Sequence, residues 1–224
     1  MNRDIVLISG ALTTPELWKH QKPTFQFRAN IHYLDVLNSD SISEMATRFI
    51  TNAPPKFTLI GFSMGGFVAL ELMGLIPNQI EKLILVNSSA RAISENGRLD
   101  RERLLDLIEK DKFDFLIKLM FKKSFINDAK RNALLPFVEH MAYQVGSDNY
   151  AKQLNAIINK PDHSALLLGI KCPTLLVASR RDRVMPNERS EHMAQLINES
   201  KLIYLEHCGH MPMLEEPELF NQKI

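Results

Sequence analysis

The chain has 224 residues, 45% hydrophobic and 24% charged, with a formal net charge of +1. That suits one α/β domain, or a core carrying an insertion, and argues against a polyanionic partner such as nucleic acid. No apolar run reaches membrane-spanning length, and Cys172 and Cys208 offer no disulfide framework, so a cytoplasmic protein is the default expectation.

In chain order, Ile5-Val6-Leu7-Ile8 is a short apolar run closed by Ser9-Gly10 and reads as an interior strand. It is too short for a signal segment and has no cleavage site after it. Residues 12–20 form a loop with a short helical turn, in which Pro15 suits the first turn and Trp18 anchors packing. A strand is expected over residues 30–36. Ser41-x-x-Glu44 has the spacing of a capping box for a helix over residues 42–51, which Pro54-Pro55 stop. A strand then runs into Ser63, a helix follows to about Leu75, and residues 82–87 form another buried strand. Strands and helices alternating through short connections predict an α/β fold, a mostly parallel sheet with helices on both faces.

The pattern changes between residues 89 and 168, where no strand is evident. Helical spacing appears over 99–109, 112–122, 129–141 and 147–158, with Leu104, Leu107 and Ile108 on one face and Leu134, Phe137, Val138 and Met141 on another. The expected organisation is a core of residues 1–88 and 169–224 with a helical lid insertion over 89–168, roofing a pocket. The sheet resumes at 174–178 after Cys172-Pro173, a helix covers 187–197, and a last strand over 201–205 precedes a short terminal helix near 216–222.

Chemistry concentrates in Gly61-Phe62-Ser63-Met64-Gly65-Gly66, a G-x-S-x-G pattern between strand and helix. A serine on so sharp a turn has a strained backbone and needs small neighbours. The turn would lift the hydroxyl above the sheet and leave the Met64 amide free at a helix start, where negative charge is stabilised. A serine hydroxyl attacks only if a base takes its proton and a third group orients that base. Asp182 follows a later strand and His210 the last one, so all three would project from the same edge of a parallel sheet. Asp162 and Glu206 rival Asp182 for the orienting acid. His207 rivals His210 but follows its strand so closely that a packing role is expected. The second donor to an oxyanion is assigned to the amide of Ala11, in the loop after the first strand. His207, Cys208 and His210 match no usual zinc spacing, and Gly61–Gly66 lacks the lysine of a phosphate loop, so no metal or cofactor is expected. Arg180, Arg181 and Arg183 would attract an anionic substrate or carrier, or form a solvated loop face.

With Ser63, Asp182 and His210 in view, nearly the whole chain resembles the α/β-hydrolase superfamily, in its small esterase-like branch with a helical lid. Gly61–Gly66 resembles that family's nucleophile elbow, Arg181-Asp182-Arg183-Val184-Met185-Pro186 its acid loop, and Gly209-His210 through Pro217-Glu218 its histidine loop. Two positions depart: Ser9 stands where members carry histidine, and Ser179 where they carry glycine. The resemblance implies a six-stranded sheet here, lacking two antiparallel strands, and a domain that leans on a second copy of itself. It implies hydrolysis of a small, largely apolar carboxylic ester or thioester through an acyl-enzyme on Ser63. The alternatives are a lyase or carbon–carbon bond hydrolase with the same residues, or a ligand-binding module with a decayed site.

Overall fold

A computed structural model describes residues 3–224. Six strands form one sheet: β1 (Arg3–Ile8), β2 (Ala29–Leu34), β3 (Phe57–Phe62), β4 (Ile80–Val86), β5 (Thr174–Ser179) and β6 (Ser200–Leu205). Their order is β2-β1-β3-β4-β5-β6, and every neighbouring pair is parallel. From β1 the chain goes to one side to form β2, then crosses back over β1 to form β3 on its other side. The loops after β1 and β3 therefore part at the switch point, where the crevice of an open α/β sheet lies.

Successive side chains of a strand face opposite ways, and the core divides accordingly. Val6, Ile8, Leu59, Leu83, Leu85 and Leu176 pack on one face with the helices α2 (Ile42–Ile50), α3 (Met64–Leu75) and α8 (Glu188–Leu196). Leu7, Ile60, Phe62, Ile84, Val86 and Val177 pack on the other, with Trp18 of a 3-10 turn (Pro15–Trp18), α5 (Phe113–Lys122), α6 (Asp128–Ile158) and the terminal α10 (Pro217–Lys223). Helix α3 is apolar nearly all round and correspondingly buried from Met64 to Leu70.

Between β4 and β5 the chain is helical: α4 (Glu95–Glu109), α5, α6 and the short α7 (Ser164–Leu167). The two helices expected over 129–141 and 147–158 are the two arms of α6, which meet at Gly146, whose φ of 77° and ψ of 163° are not helical. A Cβ on Gly146 would meet nothing within 4 Å, so the backbone angle, not crowding, calls for glycine there. Short helices α1 (Lys22–Gln26) and α9 (Pro212–Glu215) had no clear signal in the sequence.

The capping box at Ser41 is half formed. Ser41 Oγ accepts from the Glu44 amide at 3.3 Å. The Glu44 carboxylate turns instead to the Ser39 hydroxyl, whose Oγ accepts the Ser41 amide at 3.2 Å. Among the described residues no helix is long and apolar enough to cross a membrane.

Candidate active site

Ser63 follows β3 directly, and its φ of 52° and ψ of −117° lie where a non-glycine residue is strained. The turn is held because its neighbours cannot be larger. A Cβ on Gly61 would stand 2.6 Å from the Gly65 carbonyl, one on Gly65 2.4 Å from that of Ile8, and one on Gly66 2.1 Å from Ser88 Oγ. The serine's own backbone is pinned to β4 and the residues beyond it. Its amide donates to the Val86 carbonyl at 3.0 Å, and its carbonyl accepts from Ser88 Oγ at 2.8 Å.

Asp182 lies beyond β5 with its side chain fully buried (0% exposed). One oxygen, Oδ1, accepts the amides of Val184 (2.7 Å) and Met185 (2.9 Å). The other, Oδ2, is 2.7 Å from His210 Nδ1. A carboxylate can only accept here, so the imidazole proton belongs on Nδ1. That leaves Nε2 to accept from the Ser63 hydroxyl, 3.0 Å away. The His210 ring is buried and lies tilted on Phe62, with centroids 4.9 Å apart.

The amides of Met64 and Ala11 donate to no protein acceptor among the described residues. Met64 opens α3, where orphan N–H groups and the helix dipole favour negative charge. Ala11 sits across the switch point, in a loop braced by Ser9 Oγ donating to the Thr14 carbonyl (3.1 Å) and Thr13 Oγ1 to the Gly10 carbonyl (2.9 Å). Ser9 therefore serves the loop despite departing from the family's histidine.

The rival residues lie elsewhere. Asp162 accepts the amides of Ala92 and Ser164, and Glu206 pairs with Arg180 at 3.6 Å on the surface. His207 was expected to pack near the site; it is exposed, because its position just past β6 turns it outward. Cys208 is buried, and burial pushes its thiol up to about 12, which makes it a poor nucleophile. Among the described residues no group of three His, Cys, Asp or Glu side chains could hold a metal ion. Of the arginines singled out in the sequence, only Arg183 lines the cavity described below, while Arg180 stacks on Tyr204 at 3.3 Å.

Three positioning residues escape sequence reasoning. Asn87, beyond β4, donates to Ser179 Oγ (3.0 Å) and the His210 carbonyl (2.8 Å) and accepts the Ser179 amide (2.8 Å). Ser179, the second departure from the family's pattern, is thus built into this bracket. Gln153 of α6, fully buried, accepts the Leu12 amide at 3.1 Å and ties the helical insertion to the loop that carries Ala11. Glu215 accepts the amides of Gly209 and Ile126, both at 2.8 Å, joining the histidine loop to the α5–α6 connection. A polar residue on an otherwise apolar helical face was the only available hint, and only for Gln153.

A cavity of about 360 Å³ opens above Ser63 and His210. Its walls include Leu104 and Leu107 of α4, Met120 and Phe121 of α5, and Tyr150 and Leu154 of α6. The volume is near the lower end of the roughly 300–1,000 Å³ usual for small-molecule sites.

The sequence pattern described as the alpha/beta hydrolase family matches residues 5–223. Among curated relatives, RutD of Agrobacterium fabrum, named there as a candidate carbamate hydrolase, is 27% identical over 173 residues; the match covers 75% of this chain but only 66% of that protein. A pimeloyl-[acyl-carrier protein] methyl ester esterase of Nitrosomonas europaea is 24% identical over 232 residues, covering 97% of this chain and 92% of the relative. Among solved structures, an esterase from Exiguobacterium antarcticum superposes with a TM-score of 0.87 at 20% identity, covering 99% of this chain and 90% of the other. An enol-lactonase from Burkholderia xenovorans superposes with a TM-score of 0.87 at 18% identity, covering 99% and 89%. At such identities the superpositions speak for the fold alone.

Proposed function

The chain belongs to the alpha/beta hydrolase family, and from that premise we propose that it is a serine hydrolase of small, largely apolar carboxylic esters or thioesters. The observation that carries the reading is the buried line of hydrogen bonds from Asp182 through His210 to Ser63, at 2.7 and 3.0 Å. It ends beside two amides with no protein acceptor, and a small apolar cavity stands above it. The names of both curated relatives describe hydrolases, which favours water over lyase chemistry.

In this mechanism His210 Nε2 takes the Ser63 proton as Oγ bonds to the acyl carbon, and the carbonyl electrons move to oxygen. The amides of Met64 and Ala11 hold that oxyanion. As it collapses, the imidazolium gives its proton to the departing alcohol or thiol, leaving the acyl group on Ser63. Water, deprotonated by the same nitrogen, then releases the acid and restores the serine. Asp182 fixes the ring and stabilises its charged form throughout. Residues 89–168 serve in this reading as the lid over the core of 1–88 and 169–224.

The test is labelling by a fluorophosphonate followed by peptide mapping, with turnover of p-nitrophenyl esters of increasing acyl length. Labelling confined to Ser63 is expected, and Ser63→Ala should lower kcat on the order of 10⁴-fold or more. An unlabelled Ser63 with no ester turned over would sink the covalent mechanism.

A further inference from the structure

The cavity is apolar in its buried walls and basic at its solvent edge. Arg103, Lys123 and Arg183, all exposed, and Arg101, half-buried, line it against a single acid, Asp100. Asp100 is already taken, with Arg103 Nη1 donating to it at 3.0 Å. Arg101 donates to the Gly97 carbonyl (3.2 Å) and Arg183 to the Ile126 carbonyl (3.1 Å), partners that orient a guanidinium without neutralising it. Lys123 has no acidic partner among the described residues. Four cations against one acid is a local excess, since the whole chain carries a formal charge of only +1.

A second feature points the same way. Tyr150 lines the cavity at 1% exposure, and its hydroxyl makes no hydrogen bond to protein among the described residues. Arg101, on the neighbouring α4, lines the same cavity. An unpartnered donor in the same cavity wall as a guanidinium with no acidic partner suits a negatively charged oxygen more than a hydrocarbon.

We propose that the ester cleaved here is anionic: an apolar spacer beside the scissile bond ends in a carboxylate or phosphate, held by Arg101, Lys123 and Arg183, with the Tyr150 hydroxyl as a further donor. The proposal rests on the serine-hydrolase reading and adds the substrate's charge to it. The substrate's middle then meets the apolar walls, while its charged end meets a rim whose attraction salt weakens.

The experiment compares matched esters. On the acyl side, the mono-p-nitrophenyl ester of adipic acid is set against p-nitrophenyl hexanoate. On the alcohol side, 4-(butyryloxy)benzenesulfonate is set against phenyl butyrate. In at least one pair kcat/KM for the anion is expected to exceed that for the neutral ester about tenfold. Added NaCl and the Arg101→Gln/Arg183→Gln variant should each bring that ratio toward one. Arg180→Gln, on Tyr204 and outside the cavity, should leave it unchanged. Hexyl phosphate and hexanoate as inhibitors distinguish a phosphate from a carboxylate end, and hexanol should inhibit less than the preferred anion.

Turnover of the neutral esters with no anion preference in either pair overturns the proposal and leaves the hydrolase reading standing. Failure of every ester tells against the hydrolase reading. The charge preference is then read by calorimetry on the Ser63→Ala protein, where equal affinity for monomethyl adipate and methyl hexanoate overturns it.

Discussion

Asn87 Nδ2 donates to the His210 carbonyl at 2.8 Å across 123 residues of sequence, and the same amide group accepts the Ser179 N–H at 2.8 Å. The end of β4 thereby ties together the loops that carry Asp182 and His210. Asn87 is 2% exposed and has a φ of 45°, a left-handed angle that asparagine tolerates better than most residues.

Truncating this bracket should cost both stability and rate. Asn87→Ala leaves the buried Ser179 amide and His210 carbonyl unpaired, at roughly 1–3 kcal/mol for each such group. The His210 ring loses its register with Ser63, so kcat on p-nitrophenyl butyrate should fall on the order of 10- to 100-fold while KM changes little. Urea unfolding and steady-state kinetics read the two effects. A wild-type kcat in the variant would show that the bracket does not position the histidine.

The elbow makes a steric prediction. Because a Cβ on Gly66 would meet Ser88 Oγ at 2.1 Å and Ser88 Cβ at 2.5 Å, Gly66→Ala must push Ser63 or β4 aside. A displacement near 1 Å is expected to lower kcat on the order of 100-fold. Adding Ser88→Gly removes both clashing atoms and should recover part of the loss, short of wild type because the hydrogen bond to the Ser63 carbonyl goes as well. A double variant no better than the single one would place the fault elsewhere.

Glu215 predicts a pH dependence of stability. Burial pushes its carboxyl up to about 7, from an ordinary value of 4.5, against the opposing pull of the Ile126 and Gly209 amides. The folded chain therefore holds this proton more tightly than the unfolded one. The stabilisation is complete below about pH 4.5 and is lost as pH rises through 7, when a charge must be carried in the interior. The full difference is on the order of 3 kcal/mol. Glu215→Gln cannot ionise and offers one acceptor oxygen where two amides ask for one each. It should be less stable than wild type at pH 5 and close that gap by pH 8. Denaturant unfolding at the two pH values checks this; parallel pH profiles for the two proteins would contradict it.

Much of the candidate site was legible because its signals are local. Continuous apolar runs in β1, β3 and β4 mark interior strands, and Gly61, Gly65 and Gly66 mark a turn too tight for side chains. Asp182 and His210 each stand a few residues past a strand of the same parallel sheet, so their convergence on one edge follows from topology. The break between the two halves of α6 was legible too, since Gly146 lies between two apolar stripes. His207 was misjudged because the direction of a loop leaving a strand is not written in the strand's periodicity.

The sequence by itself determined the six strands, the longer helices between them, the tight turn at Ser63 and the placing of Asp182 and His210 just past two strands, since each depends on neighbours within a turn or a strand. Tertiary structure alone decided what holds them. Asn87 reaches Ser179 across 92 residues, Gln153 reaches Leu12 across 141, and Glu215 reaches Ile126 across 89. The same holds for the basic rim, where Arg101 from α4, Lys123 beyond α5 and Arg183 beyond β5 meet at one cavity. A hydrogen bond or a shared field depends on distance in space, and in this chain the packing of the helices on the sheet sets that distance.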